Sequence, residues 1–121
     1  MCIQSMNYPQ TERITDDTFD NVLSHIPSMR IPSVCMNHTT EPLLDKKNFE
    51  RIRTIAAIET VVDIQMNTNA VRLNERTAAQ LLNSGLTRLL IGFDAYSKKV
   101  YETVRVGAKY ETVNCKCLRF S

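Results

Sequence analysis

The side chains able to do chemistry in this sequence are few, and they gather around the stretch Gly85 to Gly107 and a turn well ahead of it. Asp94 follows the mostly apolar run Thr87 to Phe93, which is too short for a helix between two breakers and reads as a parallel strand. A carboxylate at the C-terminal end of such a strand stands on the edge where open and barrel α/β folds bind ligands. Glu41 is a second carboxylate, on the tip of the polar turn running from His38 to Leu44. The four cysteines, Cys2, Cys35, Cys115 and Cys117, are too few and too irregular for a secreted disulfide scaffold. Cys115-x-Cys117 is too tight for a zinc knuckle and has no histidine beside it to complete a tetrahedral set. His25 lies off the apolar stripe of its helix and reads as solvated. Gly85, Gly92 and Gly107 are the only glycines, so neither the P-loop nor the dinucleotide-binding loop is present.

Composition narrows the classes further. A chain of 121 residues with 43% hydrophobic content has the length and make-up of one globular domain. The net charge is +2, from 15 basic and 13 acidic side chains mixed along the chain, which gives no footprint for nucleic acid or an anionic membrane surface. No apolar run approaches the ~20 residues that span a bilayer. The N-terminus lacks the basic and apolar regions of a signal peptide, and a cytoplasmic location is expected.

The elements that must position Glu41 and Asp94 follow from periodicity and caps. Residues 1–14 read as loop, and residues 15–121 as one α/β unit. Thr15 is the N-cap of a first helix, with Asp16 and Asp17 at its positive end and Ile14 placed to staple onto Phe19. Its stripe is Phe19, Val22, Leu23 and Ile26, and Pro27 is expected to stop it. A strand over Ile31 to Asn37, a helix over Asn48 to Glu59 and a second strand over Thr60 to Thr68 come next. Asn74 caps a third helix that Gly85 ends, the strand from Thr87 follows, and Ser97 caps a helix with Val100, Tyr101 and Val104 as its apolar face. A last helix runs from about Tyr110 toward Phe120. Strands alternating with helices at ~25–30 residue spacing imply parallel βαβ units with right-handed crossovers.

Alternation along the strands sorts their faces. Ser33, Cys35, Asn37, Asp63, Gln65, Asn67, Asn69, Arg88, Leu90, Gly92 and Asp94 fall on one side. Val34, Met36, Val62, Ile64, Met66, Leu89, Ile91 and Phe93 fall on the other. A polar face on a parallel sheet looks into a wet or ligand-filled space, as inside a barrel or half-barrel; the alternative is a small α/β layer with one solvated face.

The residues then become familiar. Glu41-Pro-Leu-Leu-Asp45, Thr68-Asn-Ala70 with Leu73-Asn-Glu75, Ser84-Gly-Leu-Thr-Arg88 leading into Ile91-Gly-Phe-Asp94, and Tyr101-Glu-Thr-Val-Arg-Val-Gly107 resemble, in order and spacing, the central part of a radical S-adenosylmethionine (SAM) enzyme. The resemblance is closest to the group in which a SPASM-type domain often follows the barrel. It implies part of a (β/α)6 barrel that binds a [4Fe-4S] cluster and SAM, and reductive cleavage of SAM to a 5′-deoxyadenosyl radical acting on an unidentified substrate. Glu41 matches the motif carboxylate beside the SAM amino group. Arg105 matches the arginine that can pair with the SAM carboxylate. Thr39 and Thr40 stand where the family has two glycines, and Gly92 replaces a serine.

The resemblance also marks what departs from the family. No Cys-x-x-x-Cys-x-x-Cys occurs, and Cys2 stands where the last cysteine of that motif would fall. One thiolate cannot hold the cluster. An N- and C-terminally truncated or decayed piece of a radical SAM protein, inactive on its own, is therefore expected. The alternative is a noncatalytic interaction module whose open strand edges pair with a partner subunit or another copy.

Overall fold

Helices begin where a side chain can satisfy the amides that a first turn leaves bare, and the chain supplies such residues ahead of three of its helices. The computed structural model describes residues 13–36 and 40–119. In order it has α1 (Asp16–Met29), β1 (Ser33–Cys35), a 3-10 turn (Pro42–Leu44), α2 (Lys47–Ala56), β2 (Asp63–Thr68), α3 (Glu75–Leu82), β3 (Arg88–Ile91), α4 (Lys98–Val104) and α5 (Tyr110–Arg119). Thr15 accepts from the Thr18 amide, Asn74 forms a reciprocal capping box with Thr77, and Ser97 accepts from the Val100 amide. All three expected caps are in place.

Several boundaries differ from expectation. Pro27 lies inside α1 and does not stop it. A proline in the last turn forfeits one backbone bond, and the helix ends instead at Arg30, whose φ of 50° is left-handed and whose N–H reaches Ile26 O and Pro27 O. Gly85 does not cap α3 either: Asn83 is the C-cap, and Gly85 turns the chain into β3 at φ 90°. A Cβ at Gly85 would lie 2.6 Å from the Ala56 side chain, so the glycine allows a close approach of that turn to the end of α2. The strands are shorter than expected, although single backbone bonds between neighbours continue past their ends, as from Met36 to Gln65 O and from Gly92 to Thr68 O.

The three strands form one parallel sheet in the order β1-β2-β3. Register sets Ser33 beside Asp63, Cys35 beside Gln65, Gln65 beside Arg88, and Asn67 beside Leu90. Ser33, Cys35, Asn67, Arg88 and Leu90 are exposed, whereas Ile64 and Met66 are buried with Val34, Leu89 and Ile91 packed around them. The helices cover the apolar face through Phe49, Ile52 and Ile55 of α2, Leu81 of α3, Tyr101 of α4 and Val113 of α5. The polar face looks outward.

The stripe assigned to α1 is only partly used. Ile26 is buried and Phe19 and Leu23 touch the core, but Val22 is 55% exposed. Ile14 is 45% exposed, and the Arg51 guanidinium sits 5.1 Å from the Phe19 ring centre. Arg51 is buried, and it binds Ile14 O at 3.0 Å, Asp16 at 3.2 Å and Asp45 at 3.4 Å. It thereby joins α1 to α2. On α4 only Tyr101 of the expected face is buried, with Val100 and Val104 left exposed. No helix among the described residues is long and apolar enough to cross a membrane.

Candidate functional site

Glu41 enters the site as the N-cap of the 3-10 turn, where its Oε1 accepts from the Leu43 amide at 3.2 Å. The same oxygen accepts from the Thr68 hydroxyl at 2.7 Å, and Oε2 accepts from the Asn69 amide at 2.8 Å. The loop after β1 is thus fastened to the C-terminal end of β2. From there the connection passes to β3, since the Gly92 amide donates to Thr68 O at 2.8 Å. Gly92 O in turn accepts from Arg105 Nη2 at 3.2 Å, and Arg105 Nε pairs with Asp94. One hydrogen-bonded line crosses the strand ends: Glu41, Thr68, Gly92, Arg105, Asp94.

The backbone and an aromatic cluster hold the far end of that line. Arg105 is the C-cap of α4, and its amide bonds Tyr101 O at 2.7 Å. Tyr101 is fully buried, stacked on Phe93 with ring centres 5.1 Å apart and edge-on to Tyr110 at 5.7 Å. Burial pushes its phenol pKa up, so the ring anchors α4 as a neutral group. Gly92 fits because it has no side chain: a Cβ there would lie 3.1 Å from Arg105 Nη2. The Arg105 side chain is 25% exposed and that of Asp94 44%, so the ion pair faces solvent at the mouth of the site.

Of the residues expected to bind cofactor, Glu41, Gly92 and Arg105 come together on this edge, and Thr40 is exposed on the approach to Glu41. Cys2 and Thr39 lie outside the described residues. Thr68 and Asn69 were not among the expected site residues, although the sequence carried a signal for Thr68. Continuing the alternation Ile64, Met66 by two puts residue 68 on the buried face, where a hydroxyl needs a partner.

The chemistry of these donors fits the amino-acid end of SAM. A carboxylate has room for about four hydrogen bonds, and among the described residues Glu41 accepts three, none from a cation, so an ammonium finds an acceptor. The guanidinium of Arg105 suits a carboxylate in the same way. The described residues do not fit a [4Fe-4S] cluster. Cys35 lies on β1 and Cys115 and Cys117 on α5, and no group of three His, Cys, Asp or Glu side chains among the described residues could hold a metal ion.

A parallel βα layer, with its helices on one face and its acid–base pair at the strand ends, is a segment of an α/β barrel seen at its ligand edge. The family model described as the radical SAM superfamily matches residues 1–116, and the chain belongs to that superfamily. Among solved structures it is similar to the crystal structure of BtrN in complex with AdoMet and 2-DOIA, with 17% identity and a TM-score of 0.69. The match covers 91% of this chain and 47% of the BtrN chain, so the chain spans about half the length of that neighbour. No curated protein matches the sequence significantly.

Proposed function

We propose that this chain forms the SAM-facing central part of a radical SAM barrel, with Glu41 taking the ammonium of SAM and Arg105 its carboxylate. Thr40 and Gly92 line the approach, residues 15–121 form the partial barrel domain, and residues 1–14 are the tail of a cluster loop ending on Cys2. The observation that carries the reading is the Glu41 carboxylate, tied to the end of β2 by Thr68 and Asn69 and to its own turn by Leu43, with acceptor capacity in reserve. Family membership supports it, as does a structural neighbour crystallised with AdoMet.

In an intact radical SAM enzyme the [4Fe-4S] cluster supplies the electron that cleaves SAM. This chain alone is catalytically incompetent in our reading, because its four cysteines contain no Cys-x-x-x-Cys-x-x-Cys set and one thiolate cannot hold a cluster. Two measurements test the two halves. Equilibrium dialysis with labelled SAM should show binding that Glu41→Gln weakens; equal binding by both proteins would remove Glu41 from the site. Anaerobic reconstitution should leave the chain without bound iron and without 5′-deoxyadenosine, whereas about four irons per chain with SAM cleavage would overturn the claim of incompetence.

A second reading has one observation in its favour. Among the described residues β1 and β3 each have an unpaired edge, and Leu90 on β3 and Val100 and Val104 on α4 are exposed. A noncatalytic module whose sheet is completed by a partner subunit would explain them. Concentration-dependent association in sedimentation equilibrium favours this reading, and a monodisperse stable monomer counts against it.

A further inference from the structure

Thr68 closes β2 with its side chain on the buried face, and it is only 3% exposed. A hydroxyl in that position must be satisfied internally. Its oxygen donates to Glu41 Oε1 at 2.7 Å and accepts from the Ala70 amide at 3.1 Å. The hydroxyl thus uses its one proton on the carboxylate and one of its two lone pairs on the Ala70 amide. The other donors to Glu41 are the backbone amides of Leu43 and Asn69. Among the described residues Thr68 is therefore the one side chain in the set. Its carbonyl also accepts from the Gly92 amide at 2.8 Å, which refers the position of Glu41 to the strand that leads to Arg105.

We propose that Thr68 is a positioning residue: its hydroxyl holds the Glu41 carboxylate in one orientation, at a set separation from Arg105, with its remaining acceptor capacity turned to a ligand ammonium. The inference rests on the reading that Glu41 receives the amino group of SAM. Removing the hydroxyl leaves the charge of Glu41 in place but frees the carboxylate to rotate, and it strands the Ala70 amide. A ligand with both an ammonium and a carboxylate loses the matched pair of contacts. A ligand with only the adenosine end does not.

The test compares Thr68→Val, Thr68→Ser and Glu41→Gln with two probes, SAM and 5′-methylthioadenosine, the second lacking the amino-acid portion. Thr68→Val should weaken SAM binding ~10-fold or more while leaving methylthioadenosine within about twofold, and Thr68→Ser should restore SAM binding. Amide hydrogen exchange on the unliganded proteins gives an independent readout: Leu43 and Asn69 should exchange faster in Thr68→Val and return to wild-type rates in Thr68→Ser. Thr68→Cys, with similar volume and a weak donor, replaces the valine variant should that one not fold. SAM affinity equal to wild type overturns the proposal, and so does equal loss of both probes, which is the mark of a purely structural role. Wild-type protein and Glu41→Gln behaving alike toward SAM defeats the functional reading instead. Thr68 is then judged by exchange alone, with unchanged rates in the valine variant overturning it and faster, serine-rescued rates supporting it.

Discussion

The two ends of the sheet carry polar networks built from similar parts, and they differ in how completely each carboxylate is satisfied. At the N-terminal end Asp63 takes Ser33 from β1 at 2.7 Å and Thr87 at 2.8 Å. Both arms of Arg88 also reach it, Nε at 2.9 Å and Nη2 at 2.6 Å. Four donor groups face its two oxygens, two of them on one bidentate cation, and the Thr87 proton is shared with Ile64 O at 2.9 Å. At the C-terminal end Glu41 takes three donors and no cation among the described residues, while the arginine of that network, Arg105, pairs with Asp94 and Gly92 O through Nε and Nη2. A saturated carboxylate joins strands; an undersaturated one with its charge uncompensated can receive a ligand.

The largest effect expected on this contrast is from Glu41→Gln. It removes the charge that an ammonium seeks and should lower SAM affinity by roughly 30- to 100-fold at fixed ionic strength, an effect larger than the fall in melting temperature from setting one amide N–H against a donor that the carboxylate had satisfied. Asp63→Asn should do the reverse, lowering the melting temperature by several degrees while SAM affinity stays as in wild type. Its pH signature follows from linkage. The Arg88 guanidinium, with the Ser33 and Thr87 hydroxyls, holds the Asp63 carboxyl far below the usual carboxylate range, so on acidification the unfolded chain binds this proton first. The stability contributed by Asp63 is therefore whole above about pH 4 and drains away as pH falls through the acid range. The acid limb of the wild-type melting profile should be steeper than that of Asp63→Asn, and parallel limbs would break the contrast between the two ends.

Smaller effects probe the remaining parts. Arg105→Lys keeps the charge but cannot reach both Asp94 and the Gly92 carbonyl with one fork, and a loss of ~3- to 10-fold in SAM affinity is expected by dialysis. Ala70→Gly should change least. Ala70 is fully buried at φ 57°, so glycine relieves about 1 kcal/mol of left-handed cost and gives up about 0.8 kcal/mol of buried methyl. The unfolding free energy from urea titration should stay within about 1 kcal/mol of wild type, and a large drop would mean that the methyl packs the loop carrying Asn69.

What could be read from the sequence was what depends on near neighbours. Thr15, Asn74 and Ser97 cap their helices because the group each one satisfies lies three residues on, and the two faces of the sheet emerged because side chains alternate along a strand. The end of α1 was misjudged because Pro27 rules out one bond, while the actual stop depends on a left-handed residue at Arg30 with no glycine to announce it. Val22, Val100 and Val104 obey helical spacing yet face outward, since spacing tells which residues share a stripe and not how wide a sheet lies beneath it. Arg51 resembled any solvated helical arginine. Its partners Asp16 and Ile14 are 35 and 37 residues away, and only the packing of α1 on α2 brings them together. Glu41 and Arg105 were found through the order and spacing of family motifs; alternation marks Thr68 as buried, but its link to Glu41 needs the loop after β1 to fold over the end of β2.

Gly92 leaves the site little slack on one side. The guanidinium of Arg105 rests on the Gly92 carbonyl, and a Cβ there would come within 3.1 Å of its Nη2. Positions 92 and 105 are thus coupled: a side chain arriving at 92 makes the end of the arginine give by a few tenths of an ångström, and its effect depends on what position 105 already holds.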